Sequence, residues 1–219
     1  NEIVRQLISG GNEVFIVDNH YKSANEIEDI KSVKTYSTDI RNFDQLRLEI
    51  IKEDPDILIH TAAIHYIPEC NNNPTLAFDV NVGGTVNVLE ACRLYGKVKA
   101  VIVSSSDKAY GSGEVPYVET QSLNGVGTYE ASKSATDLIA RSFYSNYDVP
   151  VVVTRCSNLY GGGDMNFTRV VPNNINKILN GKQPVIWKGS EVSTREFLYI
   201  EDAVDAYLSL MENIDETKG

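Results

Sequence analysis

The sequence predicts an α/β protein built on a doubly wound parallel sheet, with helices packed on both faces. Two observations carry that reading. Segments with helical periodicity alternate along the chain with short apolar runs, the order that winds a parallel sheet. The apolar runs are continuous instead of alternating, and a strand that is apolar on both sides is one buried on both sides.

The first helix is marked by Ile3, Val4, Leu7 and Ile8, which recur at helical spacing, and Gly10-Gly11 stops it. "EVFIVD" (13–18) is a short strand ending on Asp18, and "VKTYST" (33–38) is a weaker one. "FDQLRLEIIKE" (43–53) is an amphipathic helix, "DILIH" (56–60) a strand, and "TVNVLEACRLYG" (85–96) the end of a helix. "KAVIVSS" (99–105) is the next strand. "YEASKSATDLIARSFYSNY" (129–147) holds no Gly or Pro and reads as one long helix, and "VPVVVTR" (149–155) as a strand. After residue 156 the texture turns to Gly, Asn, Pro and short elements, with Pro172 interrupting them. "EDAVDAYLSLMEN" (201–213) is a further amphipathic helix. Residues 1–155 are therefore read as the sheet domain. Residues 156–219 are read as a partial small region, some of whose elements return to the sheet.

A doubly wound sheet normally opens with a strand, a Gly-rich turn and then a helix, whereas here the helix comes first. Gly10-Gly11 lies at the wrong end of it, and "YGGGD" (160–164) leads into Asn-rich sequence instead of a phosphate-cradling helix. The expectation is a chain whose first strand and Gly-rich turn are missing, and which as given binds a dinucleotide poorly.

The chain has 219 residues, with 20 basic and 30 acidic side chains and a formal charge of −10. That balance argues against a nucleic-acid or anionic-membrane partner. An anionic small molecule has to be met locally by Arg or Lys. Cys70, Cys92 and Cys156 form no CxxC pair and are odd in number, which points to free thiols in a reducing, cytoplasmic compartment. The longest aliphatic runs are too short to span a bilayer, and no signal peptide is visible. His60, His65 and Cys70 come in five-residue steps that fit no common zinc site, so no metal is expected.

Ligands of open α/β sheets bind beyond the carboxyl ends of the strands. Asp18, His60 and the stretch from Ser104 to Lys108 all fall there. "VIVSSSDKAYG" (101–111) ends a buried strand on an acid and a base, Asp107 and Lys108. The residues alone fit a surface ion pair as well as a reacting pair. "TYEASKSA" places Tyr129 and Lys133 four apart, on one face of a helix. The spacing by itself says little, since Tyr95 and Lys99 repeat it across a helix end.

Context says more. "VFIVDN", "TDI" (38–40), "HTAA" (60–63), "NVGGTVNVLEAC" (81–92), "SSSDKAYG", "YEASK", "RCSNLYG" (155–161) and "TREFLYIED" (194–202) share an order and spacing. They resemble the extended short-chain dehydrogenase/reductases, the NAD-dependent epimerases and dehydratases of nucleotide sugars. The resemblance covers nearly the whole chain; it departs at the absent Gly-rich turn and the C-terminal part of the substrate domain. It implies a Rossmann-like fold with NAD as cofactor. Asp18 and Asn19 would lie at the adenosine ribose, and Asp39 and Ile40 at the adenine. Ala62, Ala63, Asn81, Ser104, Tyr129 and Lys133 would line the rest. An acid at position 18 favours NAD over NADP, and "DNHYKS" offers no Arg for a 2′-phosphate. Asp39 equally fits as the N-cap of the next helix.

The resemblance makes Tyr129 the general base on a sugar hydroxyl, helped by Lys133 and Ser106. Bringing a phenol from its ordinary pKa of about 10 to neutrality takes roughly 4 kcal/mol. One cation about 4 Å away supplies about that much. Asn158, Arg169 and Arg195 would hold the diphosphate of the sugar nucleotide. "SDK" resembles the Ser/Thr-Asp-Lys of CDP-glucose and related 4,6-dehydratases. Asp107 would protonate the departing 6-hydroxyl, and a neutral Lys108 would take the C5 proton. "HYIPECN" (65–71) looks more epimerase-like. The expected function is a nucleotide-sugar 4,6-dehydratase working through a 4-keto intermediate. A UDP-glucose 4-epimerase-like activity is the alternative, and a non-catalytic dinucleotide-binding sensor is the reading of another class. Leu138, Ile139 and Phe143 give the long helix more apolar surface than one sheet contact needs. With the resemblance, that implies a homodimer through it and the helix at 85–96.

Overall fold

The computed structural model describes residues 2–19, 33–190 and 192–219. The chain opens with α1 (Glu2–Ser9), β1 (Phe15–Val17), β2 (Lys34–Tyr36), α2 (Phe43–Glu53), β3 (Ile57–His60), α3 (Ile67–Asn72) and α4 (Pro74–Phe78). A π-helical stretch (Asp79–Gly84) runs into α5 (Thr85–Tyr95). Then come β4 (Ala100–Ser104), a 3₁₀ turn (Asp107–Tyr110), α6 (Thr128–Tyr147) and β5 (Val151–Thr154). The last elements are β6 (Asn158–Tyr160), α7 (Val170–Leu179), β7 (Phe197–Tyr199), α8 (Ile200–Glu212) and α9 (Ile214–Thr217).

Every ladder is parallel: β1 with β2, β3 with β4 and β5, and β6 with β7. β4 is the centre of the three-stranded group, and Ala100 to Val103 are wholly buried. Its two faces meet different helices. Val101 and Val103 pack with Leu89 and Cys92 of α5 and Ala140 of α6. Ile102 packs the other way, with Val152, Tyr207 of α8 and Ile3 of α1. This explains the unbroken apolar run in the sequence. Burial of each such side chain contributes about 1.5–3 kcal/mol.

The strands do not form one continuous sheet. Among the described residues no ladder joins β1 to β3. In the doubly wound order 3-2-1-4-5-6, the strand between these two groups is the one that carries the Gly-rich turn. β1 and β3 are related through a shared core instead. Val17 and Leu58 both pack against Ile40, Leu46, Ile50, Val88 and Ala91.

The expected strands and long helices lie where the sequence put them, with ends shifted by a residue or two. Two features depart from expectation. Pro172 does not interrupt the chain: it sits in the first turn of α7, where a missing N–H leaves no bond unmade. α3 and α4 start on the same device, with Pro68 and Pro74 in their first turns. The helix whose end was read at 85–96 opens as the π-helical stretch, a distortion that the residues did not announce and that marks functional sites in many proteins. No helix among the described residues is long and apolar enough to cross a membrane.

The π-helical stretch ends against the segment after β2. A Cβ on Gly84 would stand 2.3 Å from Ile40 Cδ1 and 2.6 Å from Cγ1. Gly84→Ala is expected to destabilise the fold by about 1–3 kcal/mol through overpacking. Chemical denaturation checks this, as a lowered midpoint with an unchanged slope. An unchanged midpoint contradicts it.

Candidate functional site

α6 meets the sheet with a polar face. Ser132, Lys133, Ser134, Thr136 and Asp137 are buried along it, beside Ala140. Each has a partner. Lys133 Nζ donates to the Ser104 carbonyl at 2.7 Å, and Ser105 Oγ donates to the Lys133 carbonyl at 3.1 Å. Asn81 Nδ2 donates to Ser132 Oγ at 2.9 Å, and Thr136 Oγ1 donates to the Asn81 carbonyl at 2.9 Å. Ser134 Oγ reaches the Ala109 carbonyl at 3.0 Å. Asp137 takes Nε and Nη2 of Arg155 at 2.6 and 3.0 Å. The helix that carries Tyr129 is thus bolted to the carboxyl end of β4.

Burial sets the electrostatics. It pulls the Lys133 ammonium down to about 8. It also pushes the Tyr129 phenol above its ordinary value; a hydrogen bond with Ser106 opposes that push, Asp107 and Cys70 reinforce it, and Arg169 opposes it. Lys133 Nζ gives one of its three N–H donors to the Ser104 carbonyl, and the groups that act on Tyr129 here are Ser106, Asp107, Cys70 and Arg169. His60, at the end of β3, lies 2.9 Å from Thr85 Oγ1 through Nε2. Thr85 spends its own proton on the Asn81 carbonyl at 2.6 Å, so His60 Nε2 is the donor to Thr85. Burial, then the charge of Lys133, hold His60 down at about 3, so it is neutral across physiological pH.

Past β4 the chain turns through Ser106 to Lys108. Ser106 Oγ caps the 3₁₀ turn by accepting from Lys108 N at 3.2 Å, and lies 3.0 Å from Asp107 Oδ1, to which it donates. Asp107 Oδ2 stands 3.7 Å from Lys108 Nζ. The acid and base are in contact and partly buried, in the same corner as Tyr129.

The expected cofactor residues divide. Asp18 and Asn19 are exposed at the end of β1, and an Asn19 side-chain hydrogen bond reaches Asp39. Asp39 also pairs with Arg41 at 2.6 Å, which holds its carboxyl below the usual range. Asp39 is not the N-cap of α2; Asn42 is, accepting from Gln45 N. Ile40 is buried in the core beside Gly84, so its side chain serves packing. Ala62 is exposed just past β3, and Ala63 is half-buried. Asn81 is buried and spends its amide internally, accepting from Ile64 N at 2.7 Å and donating to Ile64 O at 3.0 Å and to Ser132. It therefore braces the loop after β3 against α6 and does not reach outward. Ser104 likewise gives its carbonyl to Lys133. His20 to Ser23 lie outside the described residues.

The three expected substrate residues come together. Asn158, Arg169 and Arg195 line one cavity of about 510 Å³ with Tyr160, Trp187 and Phe197. Arg169 is set in place by Asp164 at 2.9 Å and the Leu159 carbonyl at 2.7 Å. Asn158 donates to the Glu196 carbonyl at 3.0 Å, and Arg195 is exposed. Sequence reasoning missed Trp187, whose only signal was being the single Trp of the chain. It also missed Ser105, Asp137 and Arg155, which look like ordinary strand-end and helix residues. The donor set suits NAD. Carboxylates and an amide at the ends of β1 and β2 match ribose hydroxyls and an adenine amino group. A half-buried phenol and a buried amine at the end of β4 match a polar, hydroxyl-bearing ligand.

A parallel α/β fold with a Ser, a Tyr and a Lys gathered at the end of its central strand is the arrangement of the short-chain dehydrogenase class. The model of the NAD dependent epimerase/dehydratase family matches residues 1–219, and the chain belongs to that family. A dTDP-D-glucose 4,6-dehydratase of Dictyostelium discoideum is 32% identical over 186 residues, covering 80% of this chain and 42% of that protein. The structure of a UDP-glucose 4-epimerase from Thermotoga maritima, solved with UDP-glucose, superposes with a TM-score of 0.86. It is 27% identical and the match covers 96% of this chain and 69% of that one. A dTDP-glucose 4,6-dehydratase from Streptomyces venezuelae, solved with NAD bound, gives a TM-score of 0.83 at 26% identity, covering 96% and 67% of the two chains. The chain spans about half the length of the curated relatives it matches. The cofactor of the family is NAD.

The Lys133 titration has a consequence for stability. Below pH 8 the lysine is charged in folded and unfolded chains alike. From about 8 up to the ordinary lysine value of 10.5, the folded protein has shed the proton and the unfolded chain has not. The unfolded state binds more protons in that window, so this group makes stability rise with pH there and stay level above it. The full rise is about 3 kcal/mol. Denaturation of wild type and Lys133→Met across the window isolates it. A difference between the two that stays flat from pH 8 to 10 contradicts the assignment.

Proposed function

We propose that the whole protein is a cytoplasmic, NAD-dependent nucleotide-sugar 4,6-dehydratase. The observation that carries this reading is the contact between Asp107 and Lys108, 3.7 Å apart beside Ser106. An elimination across C5 and C6 needs a neutral amine to take the C5 proton and a protonated acid to release the 6-hydroxyl as water. An ion pair in contact becomes that combination by moving one proton from Lys108 to Asp107. Tyr129 takes the 4-hydroxyl proton in the first step, with Ser106 sharing the hydrogen bonds of that hydroxyl. NAD, when bound, would accept the hydride from C4 and return it to C6. The resulting ketone acidifies the C5 proton, which Lys108 removes. Asp107 then protonates the 6-hydroxyl, which leaves as water, and Lys108 returns its proton to C5. Asn158, Arg169 and Arg195 hold the diphosphate, with Arg195 as the exposed cation that meets it.

A second reading, a 4-epimerase sharing the first step, is favoured by the likeness to the Thermotoga epimerase and by "HYIPECN" at 65–71. A non-catalytic sensor has less support, because Ser106, Tyr129 and Lys133 are all present and gathered. The outer faces of α5 and α6 form a shallow hollow in which Val86, Ile139, Phe143 and Tyr147 lie among Glu90, Arg93 and Ser142, and Leu138 of α6 is exposed. We assign that face to a homodimer contact. The mass of the full-length protein at micromolar concentration should be that of two chains; a single-chain mass rules the assignment out.

The chemistry is tested by single turnovers of the full-length protein with a C4-deuterated nucleotide sugar. Asp107→Asn and Lys108→Ala should leave hydride abstraction from C4 nearly intact and stop water loss. Tyr129→Phe should block the first step. If both pair variants release a 4-keto-6-deoxy sugar at the wild-type rate, the pair is structural and the epimerase reading replaces this one.

A further inference from the structure

Arg155 comes directly after β5 and has no part in the steps above, yet its side chain is heavily committed. Nε and Nη2 grip both oxygens of Asp137, which has no exposed surface. Nη1 points elsewhere, donating to Tyr110 Oη at 2.8 Å and to the Glu119 carbonyl at 2.9 Å. The guanidinium also lies over the Tyr110 ring, 5.2 Å from its centroid, and Tyr110 stacks on Tyr117 at 4.9 Å. These partners raise the Arg155 pKa further above the already high arginine value, with Asp137 the largest cause.

The two ends of this bridge matter for the chemistry. Asp137 is one helical turn past Lys133 on α6. Tyr110 closes the 3₁₀ turn that starts at Asp107. One planar group therefore spans from the helix of Tyr129 and Lys133 to the turn of Asp107 and Lys108. The same turn is tied a second time at Ala109, whose carbonyl accepts from Asn124 N, Gly125 N and Ser134 Oγ. A turn held this closely has one position relative to the helix. A lysine at 155 keeps the charge but cannot reach two partners in a plane.

We propose that Arg155 is a positioning residue: it fixes the Asp107–Tyr110 turn against α6 and so sets the acid and base relative to Tyr129, touching neither substrate nor cofactor. Reacting groups displaced by about 1 Å lose on the order of 100-fold in rate. A loosened turn thus slows the step that uses Asp107 and Lys108 far more than the step that uses Tyr129, to which the turn lends only its cap, Ser106. The kinetic part rests on the dehydratase reading; the structural part does not.

The test uses the full-length protein with NAD and two variants. Arg155→Lys removes the fork. Tyr110→Phe removes one hydroxyl and keeps the ring, which guards against a variant that fails to fold. Hydrogen exchange is read at the amides of Ala109 and Gly111, which close the turn on the Ser106 and Lys108 carbonyls. Both variants should lose at least about tenfold in protection there, while the interior of α6 keeps its wild-type protection. In single turnovers water loss should slow about 10- to 100-fold, with hydride abstraction within about twofold of wild type. Unchanged exchange in both variants overturns the proposal whatever the reaction is. Equal losses in the two steps also overturn it, because Arg155 would then support the site only as part of the general fold. If the wild-type protein releases no 4-keto-6-deoxy sugar, it is the dehydratase reading that has failed, and the exchange result alone decides the role of Arg155.

Discussion

The bond from Lys133 Nζ to the Ser104 carbonyl is the constraint on which the site depends. A helix normally presents an apolar stripe to its sheet. α6 presents serines, a threonine, an acid and a lysine. A polar group buried without a partner costs on the order of 1–3 kcal/mol, so this helix is stable in only one registration, the one that answers every group. That registration places Tyr129 over the end of β4, next to Ser106. Packing alone would have tolerated a sliding or rotating helix; the polar face does not.

The same economy runs through the neighbouring elements. Asn81 uses both ends of its amide to hold the loop after β3, and its carbonyl gathers Thr85 and Thr136. His60 is kept neutral and becomes a donor in that chain. The outcome is a corner in which Lys133 is the buried group titrating nearest to neutrality, at about 8, while Tyr129 is held as a phenol by burial. Catalysis then requires a further positive charge or a shared hydrogen bond to favour the phenolate. Ser106 and Arg169 already act in that direction.

Much of this was legible in the residues. The unbroken apolar run at 100–103 gave a strand buried on both faces, and the Ser-Asp-Lys after it marked the carboxyl end where ligands bind. Tyr129 and Lys133, whose spacing alone says little, and Asn158, Arg169 and Arg195, which line one cavity, were singled out only by the resemblance. What was not legible depends on contacts distant in sequence. Asn81 spends its amide on Ile64 and Ser132, and the side chain of Ile40 packs against Gly84, contacts that nothing local announces. Arg155 looked like an ordinary residue at a strand end, and nothing local announces that Asp137 is its partner. Pro172 looked like a breaker because its place within the first turn of α7 cannot be known until the helix start is known. The separation of β1 from β3 is likewise a property of strand order, which periodicity does not encode.

Dehydratase and epimerase share the fold, the cofactor and the first oxidation, and they part only once the ketone has formed. The most direct measurement is the mass of the product formed by the full-length protein with NAD from a panel of nucleoside diphosphate hexoses. The account built on the Asp107–Lys108 contact predicts a product lighter than its substrate by one water. A product of unchanged mass, differing from its substrate only in configuration, would contradict it.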